Sequence, residues 1–247
     1  MKLENFISKY SLDQILELEK QDEQFIALQN SRKSISQEYN TNFIQNIFLF
    51  LILQNSLVSY QISGEKLWRQ EFSLKIHQDF NILKDIFTEQ KSNVDRRHKF
   101  MTNSKYNNRI YNIKTQRLQK FDKIKIKLNF YDNFGVHNYK NMLDLLNSVS
   151  QVMKQKKDSK TLVFAIKMFG YGARIVFEEI IPYHPKIDIP LDSRLKKIYY
   201  TNFPQKSDAK DPEIKKYFFE LAQKHKIPPL HLDSVLRLDY RKLIKNK

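Results

Sequence analysis

The chain has 247 residues, with 43 Lys plus Arg against 27 Asp plus Glu and a formal net charge of +16, which points to a polyanionic partner: nucleic acid first, an anionic membrane surface second. It has no cysteine, which excludes disulfides, thiolate metal sites and iron–sulfur clusters together, and none of its six histidines pairs at the i, i+4 spacing of a helical zinc site, so neither metal nor other cofactor is expected. Hydrophobic residues at 41% and aromatics at 13% assign the charge to a folded chain, long enough for one sizeable core as a single domain or as two lobes around a cleft.

The opening "MKLENFISKY" has neither an apolar core nor a small-residue cleavage site, so it does not read as a signal peptide and the chain is expected to stay where it is made. "SLDQILELEKQ" begins with a Ser or Asp cap and spaces Leu12, Ile15, Leu16 and Leu18 helically. A second helix is expected over about 40 to 60; its run "IFLFLIL", Ile47 to Leu53, is too short to span a bilayer and reads as buried core. A third helix is expected over about 65 to 88. The region 89 to 125 is the most basic and least apolar, and is either a mobile connection or a phosphate-facing element. "KIKIKLNF", Lys123 to Phe130, alternates as a strand would, but no second run stands beside it to form a sheet. "NYKNMLDLLNSVSQVM" supplies a helix over about 138 to 153. "DPEIKKYFFELAQKHK" opens with Pro and acidic residues in its first turn. After "IPP" a last helix runs from Leu230 to Ile244. The reading is therefore all-α.

The stretch Ser159 to Gly172, "SKTLVFAIKMFGYG", carries two stripes. At about 100° per residue, Leu162, Val163, Ile166 and Phe169 gather on one side, and Lys160, Phe164, Lys167 and Tyr171 lie roughly opposite. The first is a core face. The second, alternating lysine with aromatic rings, suits an anionic, flat-ringed ligand, and equally suits a solvated face with a half-covered Phe. Downstream, the prolines of "IPYHPKIDIPLDSRLKK" hold an extended approach to Asp192, which is placed to cap the helix opened by "DSRLKK". The return loop is also long enough to bring Asp192 and Lys160 to one cleft.

A Lys-Thr pair opening an apolar helix, preceded by a short hairpin and followed by an Ile-Pro-Leu-Asp loop into the next helix, resembles the helix-hairpin-helix DNA glycosylase superfamily. Within it, "SKTLVFAIK", "IPLDSR" and "IPPLHLD", with "LELEKQDEQF" and "LVSYQISGEKLW" upstream, are similar to the archaeal 8-oxoguanine DNA glycosylase family, in the same order over most of the chain. The resemblance implies an all-α helix-hairpin-helix glycosylase fold: one domain over 1–247 made of two helical lobes, the active site in the cleft between them, and the hairpin element at about 150–172. It implies a bifunctional glycosylase and apurinic-site lyase of base-excision repair. The substrate would be double-stranded DNA containing 8-oxoguanine, with single-stranded DNA a further candidate. The enzyme would be a monomer without cofactor or membrane attachment, working in a prokaryotic cytoplasm at the nucleoid. By motif position, Lys160 is the expected nucleophile and Asp192 the catalytic aspartate, while Gln24, Trp68, Phe164, Lys167 and Asp233 line the base pocket. Lys154, Lys156 and Lys157 of the hairpin "VMKQKKDSK" are expected to approach phosphates.

These residue types suit the chemistry. Cleaving an N-glycosidic bond builds positive charge on the deoxyribose, which a nearby carboxylate stabilises. A neutral amine attacking C1′ displaces the base and collapses to a Schiff base, from which the 3′ phosphate is lost by β-elimination. The base must first be extruded from the duplex, and Trp68, the one tryptophan, is either a stacking wall or a core residue of the third helix. Without the resemblance, Gln24 and Asp233 read as surface polar residues, and His231 as a residue that caps or packs. Two departures stand out: the hairpin lacks the Gly-x-Gly of the wider superfamily, and Arg237 occupies the position of a family tryptophan, where a guanidinium can still stack on a base. The rival reading is a non-catalytic basic helical protein that binds damaged or single-stranded nucleic acid; a helical RNA binder has only the charge in its favour. Retention of both Lys160 and Asp192 counts against a pure binder, which has no use for a carboxylate facing the strand.

Overall fold

The computed structural model describes residues 3–35, 41–59, 111–124 and 133–244. Trp68, the expected helix at about 65 to 88, most of the basic region 89 to 125 and nearly all of "KIKIKLNF" lie outside the described residues. Among the described residues every secondary-structure element is helical, with one 3-10 turn at Pro204–Lys206.

The helices are α1 (Leu3–Ile7), α2 (Leu12–Glu19), α3 (Glu23–Ser34), α4 (Asn42–Leu57), α5 (Tyr111–Asp122), α6 (Phe134–Lys140), α7 (Met142–Met153), α8 (Lys160–Phe177), α9 (Ser193–Asn202), α10 (Asp211–Lys224), α11 (Pro229–Leu238) and α12 (Tyr240–Ile244). They build two hydrophobic cores. The first gathers apolar side chains of α3 to α8 with Tyr183, Ile187 and Leu230. Its centre is α4, whose Ile47 to Leu53 run is buried on every side, as an all-apolar turn sequence requires; each such side chain contributes roughly 1.5–3 kcal/mol. The second gathers α1, α2 and α9 to α12 with Ile189 and Leu191, so the N-terminal helices pack with the C-terminal ones. No described helix is long and apolar enough to cross a membrane.

Local chemistry explains the boundaries. Ser11 makes a capping box with Gln14: its hydroxyl accepts from the Gln14 N–H at 3.2 Å while its own N–H donates to Gln14 Oε1 at 2.8 Å. Two expected helices are each two. The one at 138 to 153 starts earlier, at Phe134, and breaks at Asn141, whose backbone leaves the helical region (φ −124°, ψ 49°) and whose amide donates to the His137 carbonyl at 2.9 Å. The one at Leu230 to Ile244 starts at Pro229 and breaks at Asp239, which is held by a 2.6 Å hydrogen bond from the Tyr10 hydroxyl of the opposite chain end.

The helix α8 lies along the seam of the two cores. Gly172 lets it settle against α4: a Cβ there would collide with Ile52 and stand 3.2 Å from Leu49 Cδ2. Gly170 does the same for the Tyr183 ring, whose hydroxyl donates to the Lys167 carbonyl at 2.7 Å.

Candidate functional site

The turn between α7 and α8 is built without glycine. Lys154 takes the left-handed conformation (φ 53°) that ends α7, and the Gln155 N–H closes it onto the Ser150 carbonyl at 3.1 Å. Asp158 is anchored to α10 by Lys215, whose Nζ donates to its carboxylate at 2.7 Å and its carbonyl at 2.6 Å. Lys154, Lys156 and Lys157 are left exposed on this turn. The helix α8 then starts at Lys160 without a side-chain cap from Ser159, which leaves its first N–H groups without a side-chain acceptor there.

The second stripe of α8 is not a solvated face. Lys160 is exposed and Phe164 half-buried, but Lys167 and Tyr171 are fully buried. The stripe runs from surface to interior, with Lys167 about 10 Å along the axis from Lys160. At the inner end Lys167 forms a 2.6 Å ion pair with Asp233 of α11, both sealed from solvent. The Lys160 amine, by contrast, has no hydrogen-bond or ion-pair partner among the described residues, Asp192 included.

Gln24 reaches the same region from the first turn of α3. Its N–H donates to the capping carboxylate of Asp22 at 2.9 Å, and Asp22 in turn accepts from the Tyr171 hydroxyl at 3.2 Å, one helical turn beyond Lys167. Gln24 is buried, yet its side-chain carbonyl oxygen has no partner among the described residues, an acceptor that a hydrogen-bonding ligand would satisfy. Asp192 caps α9: Oδ1 accepts from the N–H groups of Arg194 at 2.9 Å and Leu195 at 3.0 Å. Its Oδ2 has only Arg194 Nε, at 3.5 Å. Arg237 follows Asp233 by one turn of α11 and is half-buried; burial opposes its charge, and Asp233, Asp22 and Asp192 outweigh that and raise its pKa. Gln24, Lys167 and Asp233 are thus linked through Asp22, Tyr171 and the buried ion pair where α3, α8 and α11 meet, with Arg237 one turn along α11, Phe164 and then Lys160 further out along α8, and Asp192 at the start of α9. Lys157 lines a separate cleft of about 390 Å3, shared with Asp158, Lys186, Asp188 and Lys215.

Behind this site lies a charged network that the sequence reading does not anticipate. Glu19, the last residue of α2, is fully buried and pairs with Arg174 of α8; it also accepts from the Ser234 hydroxyl at 2.6 Å and meets His231 Nδ1 at 3.0 Å. His231 Nε2 accepts from the Tyr183 N–H at 3.2 Å, so the proton sits on Nδ1 and the ring is neutral. Arg174 lies over the Tyr183 ring, 4.8 Å from its centroid. The sequence signals for it are Arg174 inside the apolar "GARIVF" and Glu19 on the same face of α2 as Ile15.

The network fixes a pH dependence. Burial lowers the His231 pKa below its ordinary 6.5; Glu19 pulls it upward, while Arg174 and Lys167 push with burial. For Glu19, burial acts to raise the pKa, but His231, Arg174 and Lys167 outweigh it and bring it from 4.5 to about 2. Both folded values are depressed, so the unfolded chain binds the extra protons and the contributions, present at neutral pH, are lost on acidification. We expect the melting temperature to start falling as pH drops below 6.5, through His231, and to fall further between 4.5 and about 2, through Glu19. Thermal melts across that range check this; the upper part of the decline should shrink in His231→Asn, which keeps a donor for Glu19 but does not titrate.

Comparison with known proteins adds an independent line. A family model described as AGOG, N-glycosylase/DNA lyase, matches residues 4–247. An N-glycosylase/DNA lyase of Methanococcus maripaludis is 37% identical over 220 residues, covering 88% of this chain and 78% of that one. Another from Thermococcus kodakarensis is 35% identical, covering 88% and 74%. The crystal structure of a Pyrobaculum aerophilum 8-oxoguanine DNA glycosylase complexed with 8-oxoguanosine superposes with a TM-score of 0.72 at 21% identity, covering 98% of this chain and 88% of that one, which establishes a shared fold.

Proposed function

We propose, from the premise that the chain belongs to the AGOG family of N-glycosylase/DNA lyases, that its substrate is 8-oxoguanine in duplex DNA, which it flips out, excises and follows with strand nicking. The chain is a base-excision repair glycosylase and lyase by that membership; the lesion, the residue roles and a monomeric, nucleoid-associated state are our reading. One observation carries it: two lysines of one helical face stand in opposite states. Lys167 is sealed and locked to Asp233, suited to pocket architecture, while Lys160 is exposed and unpaired at the first turn of α8, suited to attack.

In this reading the extruded purine enters along the α8 stripe, beside Phe164, towards Lys167 and Asp233. The free carbonyl oxygen of Gln24 takes an N–H of the base edge; the stacking role that motif position gives Trp68 falls outside the described residues. Lys160 Nζ attacks C1′ as the base departs. The Asp192 carboxylate, one oxygen spent on the α9 cap and the other nearly free, stabilises the positive sugar. The Schiff base at Lys160 then permits loss of the 3′ phosphate. The uncapped start of α8 and Lys154, Lys156 and Lys157 hold the flanking phosphates. Both double and single strands offer such phosphates, and relative excision on the two measures the preference.

The direct test is a labelled duplex with a single 8-oxoguanine: strand scission and a borohydride-trapped protein–DNA adduct are expected, and binding without scission would leave only the non-catalytic alternative. Asp192→Asn should keep the cap, since Asn caps as well as Asp, and hence a near-native melting temperature, while slowing single-turnover excision by about 10²-fold. Collapse of the melt with excision intact would reduce Asp192 to a cap.

A further inference from the structure

Arg237 is the one candidate pocket residue whose chemistry differs from the aromatic its motif position calls for, and its surroundings are specific. It lies one turn after Asp233 on the same face of α11. The guanidinium is half-buried, and none of its donors has a hydrogen-bond or ion-pair partner among the described residues. Its donors are not sealed away like the buried nitrogens of Arg174, so a partly buried cation with five donors is left available to an anionic ligand. The neighbouring carboxylates do not supply an acceptor: Asp233 is tied to Lys167, Asp22 to Gln24 and Tyr171, and Asp192 to the α9 cap. Arg237 is thus one turn of α11 from the Asp233 that anchors Lys167, and the charges of Asp233 and Asp192 both favour its cationic form. In the proposed reading the scissile bond lies near this region, with the sugar at Lys160 and Asp192 and the purine towards Lys167 and Asp233.

We propose that Arg237 is a catalytic residue for base release: its guanidinium stabilises the negative charge that develops on the departing purine. The proposal rests on the reading that Lys160 displaces 8-oxoguanine. As the Lys160 lone pair forms the bond to C1′, the C1′–N9 bond breaks and its electron pair stays on the purine. The base leaves as an anion paired with Arg237, then takes a proton from the newly formed ammonium linkage at Lys160. Arg237 keeps its own protons throughout. Lys167 cannot serve in its place, because its charge is already neutralised by Asp233. Stabilisation of a leaving anion acts only while there is a base to lose, so the subsequent β-elimination gains nothing from it.

Two rates separate this from other roles: single-turnover release of 8-oxoguanine from a duplex, and nicking of the same duplex carrying a preformed abasic site. Arg237→Gln should slow base release by about 10²-fold and nicking far less, so that the ratio of the two falls. Arg237→Lys, which keeps the charge, should retain much of the ratio, and Arg237→Trp, which restores a stacking surface without charge, should behave like Gln. Base release preserved in Arg237→Trp would make stacking the role and overturn the proposal. So would a parallel loss of both rates with weaker binding to undamaged duplex and a salt slope flattened by about one, which places Arg237 on a phosphate. Release by the unaltered chain reports separately on the substrate reading: a normal rate there with an unchanged Gln variant overturns the role of Arg237 alone.

Discussion

Lys160→Gln is expected to abolish both base release and nicking, lowering each by more than about 10³-fold, and to remove the borohydride-trapped adduct, while binding to lesion DNA is largely kept. The change deletes the proposed nucleophile and one of 43 cationic side chains, so the salt slope of binding should fall by at most about one unit. Because the Lys160 side chain is exposed and unpaired, the melting temperature should not move. Single-turnover assays on an 8-oxoguanine duplex beside a thermal melt check all three. A variant that still nicks at the unaltered rate would place the nucleophile elsewhere. Lys167, the other lysine of the stripe, would then have to leave its buried pair with Asp233 to act.

The largest stability effect is expected at Arg174. Arg174→Met keeps much of the apolar volume but leaves the Glu19 carboxylate fully buried with its closest cation gone, which costs about 3–5 kcal/mol and on the order of 10 °C in melting temperature for a chain of this size. Adding Glu19→Gln to Arg174→Met should restore a good part of the loss, since the amide no longer carries a buried charge but still accepts from Ser234 and His231. A single variant as stable as the unaltered chain would mean that the Glu19 site is wetter than its burial indicates. The double variant separates the cost of an orphaned charge from the cost of lost packing around the Tyr183 ring.

How far the sequence can be read follows from which forces act locally. Caps and periodicity are local, so Ser11, Asp192, the all-apolar turn of α4 and the proline-led start of α10 are legible from the residues alone. The breaks at Asn141 and Asp239 are not, because both segments keep helical apolar spacing across the break. The second is stabilised by Tyr10, whose approach depends on how the chain ends meet. In the site, motif order names Gln24, Lys167 and Asp233, but nothing in periodicity distinguishes a solvated Lys167 from one sealed against Asp233; that depends on α11 crossing α8. The Glu19, Arg174 and His231 network is only faintly legible for the same reason: Arg174 within an apolar run and Glu19 on the face of Ile15 hint at burial one by one, but their mutual pairing depends on how α2, α8 and α11 meet.

The pairing of α1 and α2 with α9 to α12 has a consequence for how this enzyme comes into being. The second core joins Leu3, Phe6, Ile7 and Ile15 to side chains as late as Leu243, and Tyr10 bonds Asp239 across 229 residues of sequence. On a ribosome, the core formed by α3 to α8 can assemble while translation continues, whereas the opening segment must wait, its apolar side chains uncovered, until nearly the whole chain has emerged. Glu19 waits with it, and so does the clamp that seats α11 against α8. A nascent or truncated chain therefore carries Lys160 on a formed helix but lacks the wall bearing Asp233 and Arg237. In the proposed site, then, the lysine is presented before the wall that would seat a base beside it.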